Sequence, residues 1–197
     1  MNDLDKRLFE LYLSFNGPEG GPWNRSPRSL YLEYWTRQFI ASRLVRAPGL
    51  RMCNVGIGAG DWDNILCDLL IDHGSLTSVD IDPDICEMFR YRQQREGHPN
   101  PATVVCADIM ADTLPPASFD VVTIIGSTVA ESGDYDRCLA SCLRLVKPGG
   151  YLMYMDFRWT PAAKFEEWAS NRPVSIVERV DDDQAGGYIF WVRRTHG

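Results

Sequence analysis

From residue 50 onward, short apolar runs alternate with stretches of helical periodicity, and that alternation leaves few architectures open. Strands are expected near 51–55, 76–80, 103–107, 119–125 and 150–156, with helices near 62–72, 83–96 and 134–146 between them. Strands separated by covering helices pair side by side through right-handed crossovers, which makes a parallel sheet. Two further strands, over 174–180 and 187–194, flank a turn too short for a crossover and form an antiparallel hairpin.

The first 49 residues read differently. Leu4, Leu8, Leu11, Tyr12 and Phe15 recur at helical spacing, and a Gly/Pro loop over 17–22 ends that helix. Ser26-Pro27 is a helix start, and the second helix carries Leu30, Tyr31, Tyr34, Trp35 and Phe39. The expected division is a helical lid over 1–49 and a sheet core over 50–197.

The residues that carry chemistry begin at 54–60, Asn-Val-Gly-Ile-Gly-Ala-Gly, between the first strand and the first core helix. Alternate glycines let a backbone turn tightly and approach a ligand, and the helix beyond presents free N–H groups. Gly58 and Gly60 are expected to permit an approach that a Cβ would block. Asp80 ends the next strand about twenty residues later, where an acid accepts both hydroxyls of an adenosine ribose. Asp82-Pro83 reads as a helix cap. Asp61 follows the last glycine directly, an anion where the pyrophosphate of a dinucleotide would lie, and this disfavours a dinucleotide.

With these motifs the sequence resembles the class I S-adenosylmethionine-dependent methyltransferases over about residues 50–195. The resemblance implies a Rossmann-like domain, with a mostly parallel seven-stranded sheet, helices on both faces and an antiparallel C-terminal hairpin. It implies S-adenosyl-L-methionine as cofactor, held by Asn54, Gly56, Gly58, Gly60, Asp80 and Ile81, by Asp108 and Ile109 around the adenine, and by Gly126 and Ser127 after the fourth strand. Lys147-Pro148-Gly149-Gly150 matches the family's turn before the fifth strand. Asn54 stands where the family carries an acid. The segment 126–131, Gly-Ser-Thr-Val-Ala-Glu, lacks the N-P-P-Y signature of methylation on amino nitrogens of bases or glutamine.

His73, His98 and His196 fall away from the expected site, so carboxylates are the candidates for moving a proton. Asp156 ends the fifth strand, and Glu131 and Asp134 follow the fourth, although Asp134 also reads as a helix cap and Glu131 as a solvated side chain. Tyr31 is the third catalytic candidate beside Asp156 and Glu131. Trp23, Arg25 and Trp35 are expected to face the reacting centre from a lid that closes over the cofactor. The alternative is that both helices cover the sheet permanently.

A net charge of −7 argues against nucleic acid as partner. The six cysteines form no CxxC pair and fall mostly in apolar runs, so a reduced core role is expected and no metal site. Acids in the first residues exclude a signal peptide, no apolar run spans a bilayer, and a cytoplasmic protein is expected. With no substrate domain, the acceptor is a small molecule, or a second copy of the chain in a homodimer helps enclose it. The expected reaction is methyl transfer to oxygen or nitrogen. The alternatives are a lyase or cyclase that acts on the aminocarboxypropyl arm and releases methylthioadenosine, and a non-catalytic adenosine-binding subunit.

Overall fold

The computed structural model describes residues 2–16, 26–183 and 186–196. Two helices, α1 (Asp3–Asn16) and α2 (Pro27–Arg43), precede a seven-stranded sheet. The sheet is built from β1 (Leu50–Val55), β2 (Gly74–Asp80), β3 (Thr103–Cys106), β4 (Phe119–Ile125), β5 (Val146–Phe157), β6 (Val174–Asp182) and β7 (Gly187–Arg194). Helices α3 (Asp61–Leu69), α4 (Pro83–Glu96), α5 (Thr128–Glu131), α6 (Tyr135–Leu145) and α7 (Ala162–Ser170) connect them.

The strand order is β3-β2-β1-β4-β5-β7-β6. Pairing from β3 across to β5 is parallel, while β7 runs antiparallel to both β5 and β6. The mostly parallel sheet with its terminal hairpin is therefore as expected. The order reverses direction between β1 and β4, and open α/β sheets bind ligands at the carboxyl side of such a switch.

Strand alternation divides the interior into two layers. Met52, Leu76, Val121, Met153 and Met155 face α2 and α3, packing on Leu32, Phe39, Ile40, Leu66 and Cys67. Their neighbours Cys53, Val122, Leu152 and Tyr154 face the opposite side, against Leu139 and Cys142 of α6 and Phe165 and Trp168 of α7. Of the six cysteines, Cys53, Cys67, Cys86, Cys138 and Cys142 are buried, all six are unbridged, and no group of metal ligands occurs among the described residues. Among those residues no helix is long and apolar enough to cross a membrane.

The helix caps follow their residues. Ser26 Oγ accepts from Ser29 N at the start of α2, Asp82 accepts from Asp84 and Ile85 N at α4, and Asp134 accepts from Arg137 N at α6. Three elements differ from the sequence reading. Helices α5 and α7 lie in stretches for which no element was expected. The Lys147–Gly150 segment belongs to β5 rather than preceding it: the register against β4 jumps from Phe119↔Val146 to Val121↔Tyr151, so these residues bulge out of the ladder.

Candidate active site

At the carboxyl ends of β1, β4 and β5 the sheet opens under α2 into a cavity of about 290 Å³. The connection from β1 to α3 lines it with Ile57, Ala59, Gly60, Asp61 and Trp62. Ile125 and Gly126 enter from β4, and Met155 and Phe157 from β5. One face of α2, formed by Ser29, Leu32, Glu33, Thr36 and Arg37, makes the roof, and Phe15 of α1 reaches the edge. Those α2 positions recur at i, i+3, i+4, i+7 and i+8, the spacing of one helical face.

The glycines of the turn have distinct tasks. Gly56, Gly58 and Gly60 all have positive φ, of 86°, 54° and 80°. A Cβ on Gly56 would meet Thr128 Oγ1 at 2.3 Å, and one on Gly60 would meet the Phe89 ring at 2.4 Å. These two are glycines because α5 and α4 pack against them. Gly58 alone of the three has open space on its missing Cβ side, so only there does the turn present bare backbone outward.

Asp80 closes the turn from β2. Its Oδ2 accepts from Ile57 N at 2.7 Å and its Oδ1 from Asp82 N at 3.0 Å. A carboxylate has about four lone-pair positions, so two remain for further donors. Ile81 beside it is an apolar side chain left 68% exposed, a ready platform for a flat ring. Alongside, the Asp108 carboxylate accepts from Met110 N at 2.8 Å and so caps a single 3₁₀ turn, Ile109–Ala111. Gly126 lines the cavity with φ 73°, and Ser127 opens α5 next to it.

Asn54 lies beneath the turn and is fully buried. Its Nδ2 donates to Gly56 O at 2.9 Å and to both carboxylate oxygens of Asp63 at 3.0 and 2.9 Å, while its Oδ1 accepts from Thr123 Oγ1 at 2.8 Å. Every polar atom of the side chain is committed. Asn54 therefore supports the turn from below, and does not wall the cavity as expected.

The three catalytic candidates lie outside the cavity lining. Asp156 faces the α6–α7 layer, because in a strand it points opposite to its neighbours Met155 and Phe157, which do line the cavity. Its Oδ2 accepts from Tyr154 OH at 2.5 Å and its Oδ1 from Phe157 N at 2.6 Å, and burial raises its carboxyl above the usual range. Asp156 is thus a satisfied core acid. Glu131 is exposed at the end of α5. Tyr31 points from α2 toward the β6–β7 hairpin, where a hydrogen bond to Asp182 raises its hydroxyl. Trp35 is half-buried against the α2–α3 layer and is absent from the cavity wall. Trp23, Arg25 and the 17–22 hinge lie outside the described residues.

The charged groups that do line the cavity are Glu33, Arg37 and Asp61. Glu33 and Arg37 pair one helical turn apart, and Arg37 Nε is buried with no hydrogen-bond partner among the described residues. Asp61 is held by Arg92 at 2.9 Å, whose same nitrogen also donates to Ala59 O at 3.0 Å. The periodicity of α2 carries the signal for Glu33 and Arg37, which share the face of Ser29, Leu32 and Thr36 and lie apart from the aromatic residues at 31, 34 and 35.

Comparison with known proteins agrees with this geometry. A curated relative, the ubiquinone/menaquinone biosynthesis C-methyltransferase of Shewanella halifaxensis, is 30% identical over 123 residues, covering 62% of this chain and 48% of the relative. Its counterpart in Shewanella frigidimarina is 29% identical over 124 residues, covering 63% and 49%. The chain thus spans about half the length of the curated relatives it matches. Among solved structures, an S-adenosylmethionine-dependent methyltransferase from Aquifex aeolicus superposes with a TM-score of 0.71 over 99% of this chain and 100% of its own, at 14% identity. The cyclase SpnF superposes at 0.75 over 97% and 93%, at 16% identity. These two share the fold. The model of the ubiE/COQ5 methyltransferase family matches residues 29–169, which include most of α2, the glycine turn and Asp80, and the chain belongs to that family.

Proposed function

We propose that the protein binds S-adenosylmethionine on the glycine turn and transfers its methyl group to a small molecule held between the turn and α2. The observation that carries this reading is the cavity itself. Bare backbone at Gly58, the lone pairs of Asp80 and the exposed Ile81 lie beside a largely apolar cavity roofed by α2. These residues fit an adenosyl ligand: Asp80 accepts the ribose hydroxyls, Ile81 and Ile109 flank the ring, and Asp108 meets its amino group.

When bound, S-adenosylmethionine would supply a sulfonium methyl group that a nucleophile attacks in line, with the thioether sulfur of S-adenosylhomocysteine as the leaving group. The chain's part is to hold the acceptor at that methyl and to keep water out, and correct placement alone supplies much of the acceleration. Leu32, Met155 and Phe157 give the acceptor an apolar wall. The likeness to the Shewanella C-methyltransferases favours a carbon acceptor over the expected oxygen or nitrogen. A ring carbon becomes nucleophilic when a neighbouring hydroxyl loses its proton. Glu33 and Asp61 are the carboxylates in position to accept that proton, and Arg37, whose Nε–H has no partner among the described residues, stabilises the resulting oxyanion.

The test is product analysis. The protein is incubated with S-adenosylmethionine labelled in the methyl group, with and without a panel of small phenols and hydroquinones. S-adenosylhomocysteine and a methyl label resistant to ether cleavage are expected. Methylthioadenosine would replace this reading with cleavage of the aminocarboxypropyl arm, a different reaction on the same fold, as the cyclase neighbour illustrates.

A further inference from the structure

We infer that Asp63 is a positioning residue for the glycine turn: its carboxylate, acting through Asn54, sets the geometry in which the turn receives an adenosyl ligand. This rests on the binding reading above and extends it to a residue that touches neither cofactor nor acceptor. Asp63 lies in the first turn of α3, where an acid is ordinarily solvated, yet it is fully buried. It accepts from Ser78 Oγ at 2.5 Å and from Asn54 Nδ2 at 2.9 and 3.0 Å. No lysine or arginine among the described residues pairs with it. Asn54, Asp63, Ser78 and Thr123 form a polar island with no solvent exposure, an arrangement that persists only when every member is satisfied.

The island touches the site at two points. Asn54 has two N–H hydrogens: one holds Gly56 O and the other the Asp63 carboxylate. Thr123 Oγ1, which donates to Asn54 Oδ1, accepts from Trp62 Nε1 at 3.3 Å, and Trp62 lines the cavity. An ionised Asp63 only accepts, which locks the Asn54 amide with its nitrogen toward Gly56. A neutral Asp63 has a proton to donate. If Asn54 flips to accept it, its oxygen faces Gly56 O and the tie to the turn is lost. If Ser78 accepts it instead, the carboxyl holds Asn54 more weakly. The charged form is therefore the one that keeps the turn in place.

Burial pushes the Asp63 carboxyl up to about 7, against the opposing hydrogen bonds from Ser78 and Asn54. The titratable groups facing it are Asp80 from β2, which adds to the rise, Cys53 from β1, raised by burial, and Cys67 from within α3, raised to about 12. Neither thiol ionises near neutrality. A carboxyl raised by folding binds protons more tightly in the native state, so stability falls as pH rises from about 4 through about 7. The charge on Asp63 opposes folding and favours the turn. A group kept only for stability would do the reverse.

The experiment compares wild type with Asp63→Asn, which is permanently neutral, at about pH 6 and about pH 8. S-adenosylmethionine affinity, amide hydrogen exchange at residues 56–60 without ligand, and melting temperature are measured. At the higher pH the variant is expected to bind about tenfold more weakly, the loss of one charge-assisted tie, while melting higher. At the lower pH the two should converge, and any titration of the ligand itself is common to both. Measured against the intrinsic rate at each pH, protection at the turn should be lower in the variant and should fall in wild type as pH falls. Equal affinity at the higher pH, or turn exchange that follows neither pH nor the substitution, would overturn the assignment. If wild type binds no S-adenosylmethionine, the functional reading fails, and ligand-free exchange still decides the role of Asp63. Should Asp63→Asn not fold, Ser78→Ala removes a donor to the charged form. It should move the midpoint of turn exchange to higher pH, and an unmoved midpoint would overturn the proposal.

Discussion

Helices α1 and α2 are adjacent in sequence, both carry aromatic residues, and both border the cavity, yet they are attached by different physics. Helix α2 buries Leu32, Thr36, Phe39 and Ile40, with Phe39 packed edge-on against Trp191 of β7. Helix α1 buries none of its described residues. It is fastened to α4 by polar contacts: Arg7 to Asp84 and Glu87 at 3.0 and 2.9 Å, and Asp5 to the Tyr91 hydroxyl at 2.6 Å. Phe9, Tyr12 and Leu13 stay exposed. Burial of large apolar side chains contributes far more than exposed ion pairs. The two helices expected to form one lid over 1–49 thus differ in attachment: α2 is anchored by buried apolar side chains, and α1 by polar contacts at the surface. We propose α1 alone as the element that responds to ligand.

The largest effect should fall on α2. Phe39→Ala is expected to cost about 3–5 kcal/mol in urea unfolding, as large aromatic truncations in cores do. Phe15→Ala, at the cavity edge, should change stability much less and act instead on ligand affinity. Similar losses of stability for both variants would abolish the distinction between roof and strap.

A smaller effect separates the two by charge. Arg7→Ala, or salt raised well above physiological strength, should speed amide exchange across residues 3–16 and leave residues 32–40 unchanged, since exposed pairs are screened. Added S-adenosylmethionine should slow exchange in the same α1 residues. If neither salt nor ligand moves α1, both helices are scaffold.

Much of the fold was legible in the sequence because its signals are local. Apolar runs at strand length, Ser26, Asp82 and Asp134 at helix starts, and the short 181–186 turn each depend only on near neighbours. The bulge over 147–150 was not, since Pro-Gly-Gly reads as a turn and only pairing with β4 draws it into a strand. Helix α7 follows Thr160-Pro161, a local start of the same kind as Ser26-Pro27, but its N-cap is Pro161, which has no side-chain acceptor to mark the boundary.

The site was legible where backbone dictates it and obscure where side-chain direction does. Gly56, Gly58, Gly60 and Asp80 converge as their spacing implies. Asp156 points away from the cavity because one residue along a strand reverses the face, and its position at the carboxyl edge says nothing of which layer it enters. Nothing local in the sequence marks Asp63, because an acid in the first turn of a helix usually needs no other explanation than the dipole. Its burial is a tertiary fact.

The central claim is that the glycine turn and Asp80 hold an adenosyl ligand. Calorimetric titration with S-adenosylmethionine tests it most directly, on wild type and on Asp80→Ala checked for folding by thermal melting. Removing a charged acceptor of two hydroxyls should lower affinity by about tenfold or more. Binding by wild type that weakens by that factor in a folded variant is the predicted result; no binding by wild type, or undiminished binding by Asp80→Ala, would contradict it.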